Sequence, residues 1–83
     1  MAMTGTAERV EDFVGSCLKL ASNIVELPIN RMWLDYDREA DVLYLSFRKP
    51  QRAKETIETE DEILIRKDGK EIVGITILHA STR

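Results

Sequence analysis

An 83-residue chain with a net charge of −3 and one cysteine is too short for two cores. It cannot close an internal disulfide, and it lacks the basic balance of a nucleic-acid binder. A chain of this size hides only about 60–65% of the surface that its unfolded form exposes, so assembly with a second chain is a common remedy for marginal stability. No Cys/His cluster has metal-ligand spacing. The first residues hold no apolar run of signal-peptide length, and no stretch approaches the roughly 18 apolar residues that cross a bilayer. The expected location is a reducing cytoplasm, with no membrane contact.

Residues 1–5 show no periodicity and are expected to be frayed. From Thr6 onward, Val10, Phe13, Val14, Cys17, Leu18, Ala21, Ile24 and Val25 recur at spacings of three and four. That spacing predicts a helix over 6–26 with one apolar stripe. Thr6 suits an N-cap and Glu8 the positive end of the helix dipole. Pro28 disfavours helical geometry at Leu27 and ends the helix near Val25 or Glu26. Gly15 costs about 1 kcal/mol relative to alanine in mid-helix, so packing must hold the helix, with close approach of a neighbour expected at Gly15 and Ser16. Cys17 reads as a small buried hydrophobe.

After a connector, Met32, Leu34 and Tyr36 alternate with Arg31, Trp33 and Asp35 as a first strand. A charged turn over 37–41 leads to a second strand in which Leu43, Leu45 and Phe47 alternate with Val42, Tyr44 and Ser46. Pro50 closes that strand. Residues 53–58 suit a weak edge strand, 63–67 a fourth and 72–78 a fifth, with Asp68-Gly69 as a two-residue turn. The fold class is therefore α+β: an N-terminal amphipathic helix on, or exchanged across, a five-stranded antiparallel β-meander. The whole chain is one domain, its sheet spanning 31–80. One sheet face gathers Leu43, Leu45, Phe47, Ile63, Ile65, Val73, Ile75 and Ile77. The other holds Trp33, Tyr44, Leu64, Ile72 and Leu78. The helix can cover only one of them, so a second protomer or another protein is expected on the other.

The stretches YDREADVLYLSF, KETIET and DEILIRKDGKEIVGITILHAS resemble domain-of-unknown-function family 2283, a family of short microbial proteins. Its members look like YDxEADALYIxL, then A-E-T-x-E, then DGxVVGIEILxAS. Tyr36, Asp37, Glu39, Ala40, Asp41, Leu43 and Tyr44 match the first motif and residues 54–59 loosely match the second. Asp68, Gly69, Val73, Gly74, Ile75, Ile77, Leu78, Ala80 and Ser81 match the third. The resemblance covers nearly everything after Arg31 and leaves the helix as an extension. It implies a compact antiparallel sheet and an antitoxin-like binding role, with no catalytic residues to carry over.

Three stretches are candidates for chemistry. Asp35, Asp37, Glu39 and Asp41 alternate as oxygen ligands do in a calcium loop, but the position that needs glycine is Val42 and the one that needs a bidentate glutamate is Arg48. The simpler reading is a turn whose carboxylates cap backbone N–H groups and pair with Arg38. The alternative is a small enzyme or a ligand- or metal-binding protein that uses this turn, pairing Asp37 with Asp41 or Glu62. Such chemistry needs a pocket that raises one pKa. His79 has no nucleophile at a diagnostic spacing. A second alternative is nucleic-acid binding through the basic loop of Arg48, Lys49, Arg52 and Lys54, whose cations could meet phosphates, but the loop lacks interleaved aromatics. The favoured expectation is a non-enzymatic interaction module, without cofactor or metal, that forms a homodimer or binds a second small protein. Its interface residues are Phe13, Cys17, Ile24, Trp33, Tyr36, Tyr44, Leu64 and Leu78, because desolvated aromatic and aliphatic anchors dominate binding energy.

Overall fold

The structure is a computed structural model that describes residues 7–83. The expectations for residues 1–5 and for the Thr6 cap lie outside the described residues, as does the Glu8 side chain. Helix α1 runs Ala7–Ile24, followed by β1 (Trp33–Asp37), β2 (Val42–Ser46), β3 (Glu55–Glu58), β4 (Ile63–Asp68), β5 (Glu71–Leu78) and a short 3-10 turn at Ala80–Thr82. The helix unwinds through Leu27, whose N–H reaches the Ile24 carbonyl at 2.9 Å, just before Pro28 removes the next backbone donor.

All strand pairs are antiparallel. The α+β class is as expected, in a meander-like order β1-β2-β5-β4-β3. β3, β4 and β5 run as a three-strand meander, and β5 then docks on β2. The reason lies in the side chains. EIVGITIL is the longest and most apolar strand and takes the centre, while ETIE is short, exposed throughout and confined to an edge, where polar side chains discourage further pairing. At the β4–β5 turn, Asp68 pairs with Glu71, so the two-residue loop is Gly69-Lys70, one residue later than the Asp68-Gly69 turn expected. Gly69 sits at φ 65°, where a side chain is disfavoured and a type II′ turn places glycine.

Alternation along the strands sorts the side chains into two faces. Across the sheet, Leu34, Leu45, Ile75, Ile65 and Ile57 stand in one row, and Tyr36, Leu43, Ile77 and Ile63 in the next. The opposite face carries the rows Trp33, Ser46, Gly74, Arg66, Thr56 and Asp35, Tyr44, Thr76, Leu64, Glu58. A bulge between Arg66 and Lys67 sets Lys67 opposite Ile72. It moves Ile72 from the sparse face, where simple alternation placed it, to the apolar one beside Phe47 and Ile75.

The helix does not cover either face within its own chain. Phe13 is 57% exposed and Leu18 65%, Cys17 is exposed rather than buried, and nothing lies within 4 Å of the space a side chain at Gly15 would fill. The stripe is correctly periodic, but the expected close neighbour is absent from the single chain. Among the described residues, Val42 and Val73 are the buried apolar side chains.

Candidate functional site

The acidic turn is a structural device. Asp37 pairs with Val42 and closes a loop over 38–41, and its Oδ1 accepts the Glu39 and Ala40 N–H groups at 3.1 Å each. Asp41 takes a left-handed φ of 58° that turns its carboxylate towards the C-terminal turn. Tyr36 donates its hydroxyl to Asp41 Oδ1 at 2.5 Å. Ser81 donates its N–H to Oδ1 at 3.0 Å and its hydroxyl to Oδ2 at 2.8 Å. The Tyr36 and Ser81 donors hold the Asp41 carboxyl below its ordinary range, and the same bond to Asp41 pushes the Tyr36 phenol up. Arg38 lies 5.6 Å from the centroid of the Tyr36 ring, a cation–π contact rather than the expected pairing with the acids. Glu62, the other candidate acid–base partner, faces His79 at 3.1 Å. Among the described residues, no group of three or more His, Cys, Asp or Glu side chains is placed to hold a metal ion.

The basic loop over 47–54 is equally engaged. It crosses the polar sheet face to carry the chain from β2 to β3 at the far edge. Gln51 Nε2 donates to Ser46 Oγ at 2.8 Å, and its amide fills the space where a side chain on Gly74 would stand. Glycine there permits the loop to lie flat on the strand. Arg48 donates to the Gln51 carbonyl at 2.7 Å and to Asp68 at 3.1 Å, and reaches Glu71 at 3.4 Å. Lys54 stands 3.6 Å from Asp68, whose carboxyl Arg48 holds below its usual range. Lys49 lies 5.8 Å from the Trp33 ring centroid. Cations already paired with carboxylates and aromatics make a weak platform for phosphates.

What remains is the apolar face. Its two rows hold nine side chains without a charge, and Leu34, Tyr36, Ile57 and Ile72 are each more than a third exposed. At one end the connector's Leu27, Pro28 and Ile29 meet Phe47, Ile72 and Ile75 around an open cavity of about 580 Å³. The residues expected at an interface are divided by this geometry. Tyr36 stands on the apolar face, and Phe13, Cys17 and Ile24 lie on the unattached helix. Trp33, Tyr44, Leu64 and Leu78 belong to the opposite face, where Lys49 already lies over Trp33. The larger uncovered apolar surface is the dense aliphatic face, not the sparser one that carries Trp33, Tyr44, Leu64 and Leu78. Its alternation was visible in the sequence, but its exposure depends on where the helix goes.

No helix among the described residues is long and apolar enough to cross a membrane. No curated protein and no solved structure matches the chain. The model of the family described as "Protein of unknown function (DUF2283)" matches residues 33–81, from the first residue of β1 to the serine that binds Asp41, and leaves α1 outside. The matched segment is well over half of the chain, and the protein belongs to the DUF2283 family.

Proposed function

We propose that this protein is a non-enzymatic protein-interaction module whose working surface is the apolar sheet face. The observation that carries the reading is the pair of uncharged rows running across the sheet with no covering layer. Each large aliphatic side chain moved out of water contributes roughly 1.5–3 kcal/mol, and contiguous exposed apolar surface of this kind marks an association site. Asp37 and Asp41 are engaged in shaping the turn, and Arg48, Lys49 and Lys54 are engaged by Asp68 and Trp33 along the loop, which supports a binding role over an enzymatic one.

The test is the mass of the full chain in solution, measured by light scattering at micromolar concentration for the wild type and for Leu45→Asp. The expected result is a wild-type mass above that of one chain and a loss of assembly in the variant. A wild-type monomer that unfolds cooperatively, with Leu45→Asp equally stable, would overturn the reading.

A further inference from the structure

We infer that the occupant of the apolar face is a second copy of this chain, and that the contact is made by α1, each protomer laying its helix stripe on the partner's sheet. This rests on the interaction reading and names its partner. The chain presents both halves of one interface and leaves both uncovered: a sheet face with two uncharged rows, bordered by Lys67 and Glu55 beside Ile72, and a helix whose Phe13, Val14 and Leu18 stand in solvent. A foreign partner would have to cover two separate surfaces. A two-fold pair covers both by making the same contact twice, as an isologous interface does.

Size and shape point the same way. The radius of gyration is 15.3 Å, whereas a compact chain of this length has about 12 Å. The accessible surface is 6756 Å², against about 5,000 Å² for a compact monomer of this mass. Even if residues 1–6 contributed as fully extended chain, at about 1.45 Å² per dalton, they would supply well under 1,000 Å² of that surplus. The remainder matches the roughly 800 Å² that each partner buries in a stable complex. A helix of this length spans about 27 Å, and five strands at about 4.8 Å spacing present a face of comparable breadth. The connector supplies the hinge. Leu27, Pro28 and Ile29 line one open cavity with Phe47 and Ile72 at an end of the face, while α1 beyond them packs on none of the strands to the extent that neighbouring strands pack on each other.

The natural Cys17 lies in the stripe and serves as the reporter. Wild-type chain is co-expressed with a mass-tagged chain carrying Cys17→Ser and Ile65→Cys, and mild oxidation is followed by intact mass. The only disulfide that can join the two chain types then links Cys17 of one to the new thiol of the other. Exchange predicts a mixed-chain disulfide in high yield, and several-fold less when Tyr44→Cys on the opposite face replaces Ile65→Cys. A chain that assembles but gives no such preference overturns the exchange and leaves the interaction reading standing. That result would be expected if the two sheets met directly. A wild-type monomer would overturn the exchange, and a monomer in which Leu45→Asp is equally stable would overturn both. Wild-type Cys17 provides a check without any substitution: its reaction with a thiol reagent in the native state should be at least tenfold slower than in denaturant. Equal rates would show the stripe bare and overturn the exchange.

Discussion

The two faces of this sheet solve the problem of exposure in opposite ways. On the polar face, a long loop lies against the strands, and Gln51, Arg48 and Lys49 each find a partner there: Ser46, Asp68 and Trp33. That face is largely covered within one chain, although Tyr44 stays 44% exposed and, among the described residues, the buried Nε of Arg66 has no hydrogen-bond partner. On the apolar face only Tyr36, at its margin, is paired, because aliphatic side chains offer only area. Hydrogen bonds can be satisfied by eight residues of loop, whereas two rows of leucine and isoleucine require a layer of matching size. A fold of this length has one such layer, α1, and does not lay it on its own sheet. The contrast marks the covered face as architecture and leaves the bare face as the surface that the proposed interaction would use.

The sharpest way to break the comparison is a charge on the bare face. Leu45→Asp should abolish assembly and cost several kcal/mol if the face is desolvated in the working form, as read by mass and by urea unfolding. If the face stays wet, the change stays within about 0.5 kcal/mol, and the asymmetry between the faces loses its meaning. Next in size is Gly74→Ala on the covered face. The new methyl meets the Gln51 amide and stands 3.0 Å from the Leu45 carbonyl oxygen. Overpacking of this kind costs roughly 1–3 kcal/mol, and adding Gln51→Ala should recover part of it.

Asp41→Asn comes third. Asparagine tolerates the left-handed backbone at this position, so the variant removes charge and not conformation. It should lower the urea midpoint at neutral pH by less than Gly74→Ala does. The pH dependence separates the two further. The carboxyls of Asp41 and Asp68 sit below their ordinary values in the folded chain. Their contribution is therefore present above about pH 4 and is lost as the pH falls through the depressed folded values. The wild type should lose stability on acidification more steeply than Asp41→Asn. The Tyr36 phenol is raised, so its contribution is full below about pH 10 and disappears as the pH climbs through the folded value. The smallest effect is expected for Arg48→Lys, which keeps the charge but loses the fork that reaches Gln51, Asp68 and Glu71 together. It should loosen the loop, read as faster amide exchange at Gln51 and Arg52, and leave assembly intact.

The DUF2283 motif acquires a physical meaning from this geometry. Asp37 closes the β1–β2 turn, and Tyr36 and Asp41 beside that turn form one network with Ser81, 40 residues beyond Asp41 in the chain, that fastens the C-terminal turn to it. Gly74 is the seat of the crossing loop. These residues build the sheet, and the apolar rows between them are what the sheet displays.

The amino-acid sequence by itself determined the element types, the helix stop before Pro28, the edge character of ETIE and the two-face alternation. All of these are local matters of periodicity, proline geometry and side-chain polarity. It also contained the turn-capping role of the acids, since Asp two or three residues before free N–H groups is a local arrangement. Only the tertiary structure decided that β5 enters between β2 and β4, because strand order is a competition for the central position among all strands at once. Only it decided that a bulge carries Ile72 across the sheet, since one extra residue against a partner strand inverts the alternation beyond it. The largest decision was the position of α1. Periodicity requires that the stripe from Val10 to Val25 be buried against something, and an apolar stripe is equally well served by its own sheet or by another copy's.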